Sequence, residues 1–143
     1  MSPDGDRVRD AMVAGPKSLS GTATVREAAE LLRRPEVRAV LVCEDGRLVG
    51  AVTALGLVDR VLAEGRDPAT TTVAEVAEEI PFTIGPDEPL DNGYRLMEAE
   101  DLERLVVVED GRLLGVLSRS SLQRRLAEDD SPDEPVDDSP AIA

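Results

Sequence analysis

The stretch Glu44-Asp45-Gly46-Arg47-Leu48-Val49-Gly50 returns as Glu109-Asp110-Gly111-Arg112-Leu113-Leu114-Gly115, 65 residues further on. The same offset runs without gaps from Val8 against Val73 to Glu64 against Asp129, and it sets Thr53 against Ser118. The 143-residue chain is therefore a duplication, and recognising that comes before any reading of its elements. A copy of this size buries too little surface to be comfortable alone, so the two are expected to share a core.

Working outward from the quoted stretch, Asp-Gly between two apolar runs favours a tight turn with positive φ. The runs before it, 37–43 and 102–108, and after it, Arg47 to Val52 and Arg112 to Leu117, read as hairpin strands. Upstream, Thr24 and Glu27 have capping-box spacing, and Val25, Ala28, Ala29 and Leu32 form one apolar stripe of a helix that Pro35 helps to stop. Leu90, Tyr94 and Met97 repeat that stripe after Pro89. Short extended pieces, 17–20 and 82–85, come first in each copy. Thr53 and Ser118 stand where a side-chain oxygen caps a last helix, with apolar positions Leu57, Val58, Val61 and Leu62, or Leu122 and Leu126. The fold class is thus α/β, two βαββα repeats packed as a pseudo-two-fold pair. Residues 8–64 are the first repeat, 65–72 a linker, and 73–129 the second. Residues 1–7 and the acidic tail 130–143 lack periodicity and are expected to be disordered.

Charge and composition exclude several functions. The net charge is −14, and seven acids without a base between Glu128 and Asp138 make up half of it. A polymeric nucleic acid is disfavoured as a partner. No apolar run approaches the length of a membrane span and Met1 to Asp6 carries no leader-like core, so a cytoplasmic location without membrane insertion is expected. The chain has no histidine and a single cysteine, Cys43, inside an apolar run where it reads as a buried small side chain. Without histidine, general acid–base and nucleophilic chemistry lack their usual agent, and no zinc or calcium pattern is present. No catalytic residue and no metal site is assigned, and the protein is not expected to be an enzyme.

The tandem βαββα pattern, with Asp10-Ala11-Met12 ahead of the first strand and Gly-x-x-Thr/Ser closing each hairpin, resembles the cystathionine-β-synthase (CBS) domain pair, or Bateman module. The resemblance spans Val8 to Glu128 and implies a stand-alone regulatory or sensor module. It implies binding of an adenosine-containing ligand (AMP, ADP, ATP or S-adenosylmethionine) in the clefts between the repeats, with no required cofactor. It also implies a homodimer that modulates a partner, an enzyme or transporter of unknown identity.

Carried over residue by residue, the family pattern Gly-x-x-Thr/Ser-x-x-Asp falls on Gly50 to Gly56 and Gly115 to Ser121. Thr53 and Ser118 keep the hydroxyl, but Gly56 and Ser121 stand where the resemblance expects a ribose-binding aspartate. Losing one hydrogen bond to a charged group, about 1.5–3 kcal/mol, weakens a ligand roughly ten- to a hundredfold. Ser121 makes the second copy the better site. Arg38 and Arg104, one residue out of register, lie where the resemblance places phosphate contacts, and Ser18, Thr83 and Ile84 where it places the base.

Each of these residues also has a plainer reading. Thr53 and Ser118 serve as caps with or without a ligand. Arg38 and Arg104 suit solvated strand-end charges paired to Glu36 or Glu103. The missing aspartates leave open an alternative, a ligand-independent dimerisation or adaptor protein with degenerate nucleotide sites.

Overall fold

The computed structural model describes residues 6–120, which fall into two compact units: 17–81, and 6–16 together with 82–120. In chain order the elements are α1 (Val8–Ala11), β1 (Val13–Ala14), β2 (Leu19–Ser20), α2 (Val25–Leu32), β3 (Val40–Glu44) and β4 (Arg47–Val52). They continue with α3 (Ala54–Leu57), α4 (Val73–Val76), β5 (Thr83–Ile84), α5 (Leu90–Ala99), β6 (Arg104–Glu109) and β7 (Arg112–Ser118). The mixed α/β class and the two βαββα repeats are as expected.

In unit 17–81, β2 runs parallel to β3 and β3 pairs antiparallel with β4. The hairpin turns through Asp45 (φ 54°) and Gly46 (φ 82°), the paired positive angles that suit a two-residue loop to twisted strands. The Thr24 N–H donates to Glu27 Oε1 (3.0 Å) and the Glu27 N–H to Thr24 Oγ1 (3.3 Å), so the capping box forms. It starts α2, which buries Val25 and Ala28 on Val42 and Val52. Val73 and Val76 of α4 complete this core, although they belong to the second sequence repeat. The Ala51 and Glu78 backbones then exchange a pair of hydrogen bonds, 2.9 Å each, along the edge of β4.

The other unit repeats the plan with the roles of the copies reversed. β5 is parallel to β6, β6 antiparallel to β7, and the turn again uses positive φ at Asp110 (52°) and Gly111 (81°). β1 pairs with β7 through Val13↔Val116 and Ala14↔Gly115. Val8 joins Ile84, Leu90, Met97, Leu105, Val107 and Leu117 in the core. The leading segment of each repeat thus packs in the unit that holds the other repeat's hairpin. Each of the two cores is built from both copies, and the compact units are cut at different places from the sequence repeats.

Several expectations change in detail. Residues 65–72, read as a linker, lie against α2: Val25 and Arg26 donate their N–H groups to the Thr71 (2.9 Å) and Pro68 (3.2 Å) carbonyls, satisfying the open first turn of α2, and Thr71 is buried. Asp6 and Arg7 are held as well, since Leu90 N–H donates to the Asp6 carbonyl (3.0 Å) and the Arg7 N–H, ahead of α1, donates to Asp10 Oδ2 (2.8 Å). After α3 the first copy widens into a π-helical turn over Val58–Leu62. That turn buries Val61 but leaves Val58 and Leu62 exposed, where a continuous apolar stripe was expected. The rest of the N-terminus, Ser121, Leu122, Leu126 and the acidic tail lie outside the described residues.

The start of α4 carries a pH-dependent contact. The Thr72 N–H donates to Glu75 Oε2 (2.9 Å), and the Thr72 hydroxyl lies 3.0 Å from the same oxygen. These bonds, backbone first, hold the Glu75 carboxyl below its ordinary 4.5, with Arg66 adding charge attraction. A depressed folded value means that the contribution is present above the unfolded value and is lost as pH falls through the folded one. Glu75→Gln is therefore expected to be less stable than the parent protein near neutral pH. Urea titrations should show that difference shrinking at progressively more acid pH; a constant difference would refute the assignment.

Candidate functional site

The hydroxyl-bearing residues sit where β4 and β7 end. Thr53 leaves β4 in an extended conformation (φ −118°, ψ 165°), and its Oγ1 accepts the Gly56 N–H at 3.0 Å. It therefore caps α3, a half-buried oxygen at the mouth of a short helix. Its counterpart Ser118 is the last residue of β7, half-buried, and directly opposite Arg104 on β6. Opposed residues on neighbouring strands bring their side chains together on one face. Among the described residues, Arg104 and Ser118 are thus the one pair of sequence-predicted site residues set in register.

The two arginines, one residue out of register in the sequence, differ in place as well. The 65-residue offset maps Arg104 onto Ala39, and Arg38 onto Glu103. Arg38 is exposed and lies two residues ahead of β3, outside the ladder. Among the described residues neither arginine pairs with an acid. Glu103 and Asp101 instead hold Arg119 (3.7 and 3.4 Å), so the expected partnership of Arg104 with Glu103 is replaced.

The base-side candidates divide. Ser18 precedes β2 and is exposed, and Thr83 on β5 is exposed. Ile84 alternates to the opposite face and is buried in the core cluster with Val8, Leu90 and Met97. Ser121 lies outside the described residues.

The glycines beside these residues answer to the backbone. A Cβ on Gly50 would stand 2.5 Å from the Glu78 carbonyl oxygen, and one on Gly115 would stand 2.7 Å from that of Val13. Gly56 is buried, and a Cβ there would meet Glu78 Oε2 and Thr53 Oγ1, both at 3.2 Å. Glu78 also faces Arg60, with 3.6 Å between Oε2 and Nε. Sequence reasoning missed Glu78 because nothing local in 77–80 marks it. The offset alone, which aligns it with Val13, hinted that the two copies differ there.

Cys43 is free and buried in β3. Among the described residues no three His, Cys, Asp or Glu side chains gather as a metal site, and no helix is long and apolar enough to cross a membrane.

The CBS domain model matches residues 8–63 and 73–128. Hypoxic response protein 1 of Mycobacterium tuberculosis is 30% identical over 121 residues, 84% of this chain and 85% of that protein. The CBS domain-containing protein YhcV of Bacillus subtilis is 31% identical over 115 residues, 80% of this chain and 81% of that one. A crystal structure of Hypoxic Response Protein I with two coordinated zinc ions superposes with a TM-score of 0.70 at 28% identity, over 84% of this chain and 98% of that one. This chain, with no histidine and one buried cysteine, lacks the usual zinc donors. The structure of CBSX2 in complex with AMP shares the fold (TM-score 0.69, 24% identity, 87% of this chain and 98% of that one). With the family model on both halves of the duplication and segment exchange completing two like units, the chain belongs to the CBS-domain family and carries a pair of CBS domains.

Proposed function

We propose that the chain is a non-catalytic regulatory sensor. It binds an adenosine-containing ligand (AMP, ADP, ATP or S-adenosylmethionine) and, as a homodimer, passes its occupancy to a partner enzyme or transporter. The observation that carries this reading is the register of Arg104 opposite Ser118, with no acid paired to the guanidinium among the described residues. A guanidinium forks onto phosphate, and a neighbouring hydroxyl adds a donor of its own. Thr53, Ser18, Thr83 and Arg38 are exposed or half-buried and complete the candidate set, with Ser121 beyond the described residues. CBS pairs solved with AMP, and with 5′-methylthioadenosine and S-adenosylmethionine, support the ligand class.

Titration calorimetry and thermal shift with AMP, ATP and S-adenosylmethionine test it. A ligand specific for the folded state at a hundred times its Kd adds about 2.7 kcal/mol. Arg104→Ala should weaken AMP and ATP roughly ten- to a hundredfold and leave S-adenosylmethionine, which has no phosphate, little changed. No heat and no shift at millimolar ligand would defeat the proposal.

A second reading, a ligand-independent dimeric adaptor, draws on a different feature. Leu55 (70% exposed), Val58 (49%) and Leu62 (69%) put an apolar stripe on the outside of α3 and its π-helical extension. Exposed apolar stripes mark contact surfaces. If a ligand-free dimer retained a partner and Arg104→Ala changed nothing, this reading would replace the first.

A further inference from the structure

We infer that Glu78 supplies, from the segment after α4, the carboxylate for a ligand's ribose hydroxyls that Gly56 cannot provide. This rests on the adenosyl-sensor reading and assigns a specificity residue within it. The Glu78 backbone is anchored to Ala51 by two hydrogen bonds of 2.9 Å, so its side chain springs from a fixed point beside the end of β4. Its Oε2 stands 3.2 Å from where a Cβ on Gly56 would be, and that same point is 3.2 Å from Thr53 Oγ1. The space that an acidic side chain at position 56 would enter therefore already faces a carboxylate oxygen, next to the capping hydroxyl.

That carboxylate is open to a ligand. Arg60 Nε is 3.6 Å away, beyond hydrogen-bond length, and both side chains are about half exposed. Among the described residues no N–H or O–H donates to the Glu78 carboxylate, and the Thr53 oxygen is engaged only as acceptor for Gly56. A carboxylate has two oxygens to receive two vicinal hydroxyls, which is what a ribose presents. The 65-residue offset offers an internal comparison: it sets Val13 against Glu78 and Gly56 against Ser121.

The test compares AMP with 2′-deoxy-AMP by calorimetry on the full chain carrying Arg104→Ala, which removes the phosphate contact proposed for the other hairpin. Residual AMP binding is expected, preferred over the deoxy analogue by about tenfold or more. Adding Glu78→Ala should weaken AMP by that factor and erase the preference, and adding Gly56→Asp to Glu78→Ala should restore it. A thermal melt confirms that each variant is folded. If the original chain binds AMP but Glu78→Ala leaves affinity and preference unchanged, the role of Glu78 is overturned and the sensor reading stands. The same holds if Arg104→Ala alone abolishes all binding. If the original chain binds no adenosyl ligand, the sensor reading falls, and the role of Glu78 with it.

Discussion

Gly50→Ala and Gly115→Ala are each expected to lower stability by about 3 kcal/mol, seen as a fall in Tm of roughly 10 °C. The added methyl at Gly50 would stand 2.5 Å from the Glu78 carbonyl oxygen and 3.3 Å from Ala77 Cβ. At Gly115 it would meet the Val13 carbonyl oxygen at 2.7 Å and Met12 Sδ at 2.8 Å. In both places the obstacle is backbone that must stay close to keep its ladder: the Ala51–Glu78 pair in one unit, and Val13↔Val116 with Ala14↔Gly115 in the other. Relief of the clash therefore costs hydrogen bonds as well as packing. Gly85→Ala is the control, because a methyl there finds only Glu88 Cγ at 3.9 Å. Melts of the three variants by circular dichroism decide the point, and a Gly50→Ala protein within about 0.5 kcal/mol of the parent would refute it.

A fragment of residues 17–81 is expected to fold more stably than a fragment of residues 8–64, although the latter is the complete first repeat. The shorter reach of 8–64 omits Val73 and Val76, 0% and 2% exposed in the core with Val25, Val42 and Val52. Burying each contributes about 1.5–3 kcal/mol, so roughly 3–6 kcal/mol separates the fragments, comparable to the whole stability of a small domain. Backbone bonds go with them: Val73 N–H to the Ala23 carbonyl (2.8 Å) and Ala74 N–H to the Gly21 carbonyl (3.1 Å). Residues 8–14, which 8–64 keeps, have no place in that unit, since Val8 and β1 pack with β7 and α5. Urea unfolding of the two fragments measures the difference, and equal midpoints and slopes would contradict the exchange.

The candidate site was legible only where its chemistry is local. Thr53 as a cap follows from its place between an apolar strand and a helical stretch, and it does bond the Gly56 N–H. Arg104 was singled out by its position at a strand start, but its pairing with Ser118 depends on the β6–β7 register. Ile84 was placed correctly on a short strand, but its burial was not legible, because a two-residue strand has too little alternation to say which side is the core. Glu78 could not be found at all, since its approach to Gly56 joins residues 22 positions apart through a single β-bridge.

What the sequence determined by itself is the duplicated α/β unit: the Asp-Gly turns, the Thr24–Glu27 box and the β-branched strands are short-range features, set by the φ/ψ and hydrogen-bonding preferences of neighbouring residues. What only the tertiary structure decided is which copy completes which core. Val8 and Val73 are alike, each at the head of its own repeat, and nothing local says that each must fill the other repeat's unit. That choice is made by long-range burial and by the close backbone approach that Gly50 and Gly115 permit, and the same approach carries Glu78 to the end of β4.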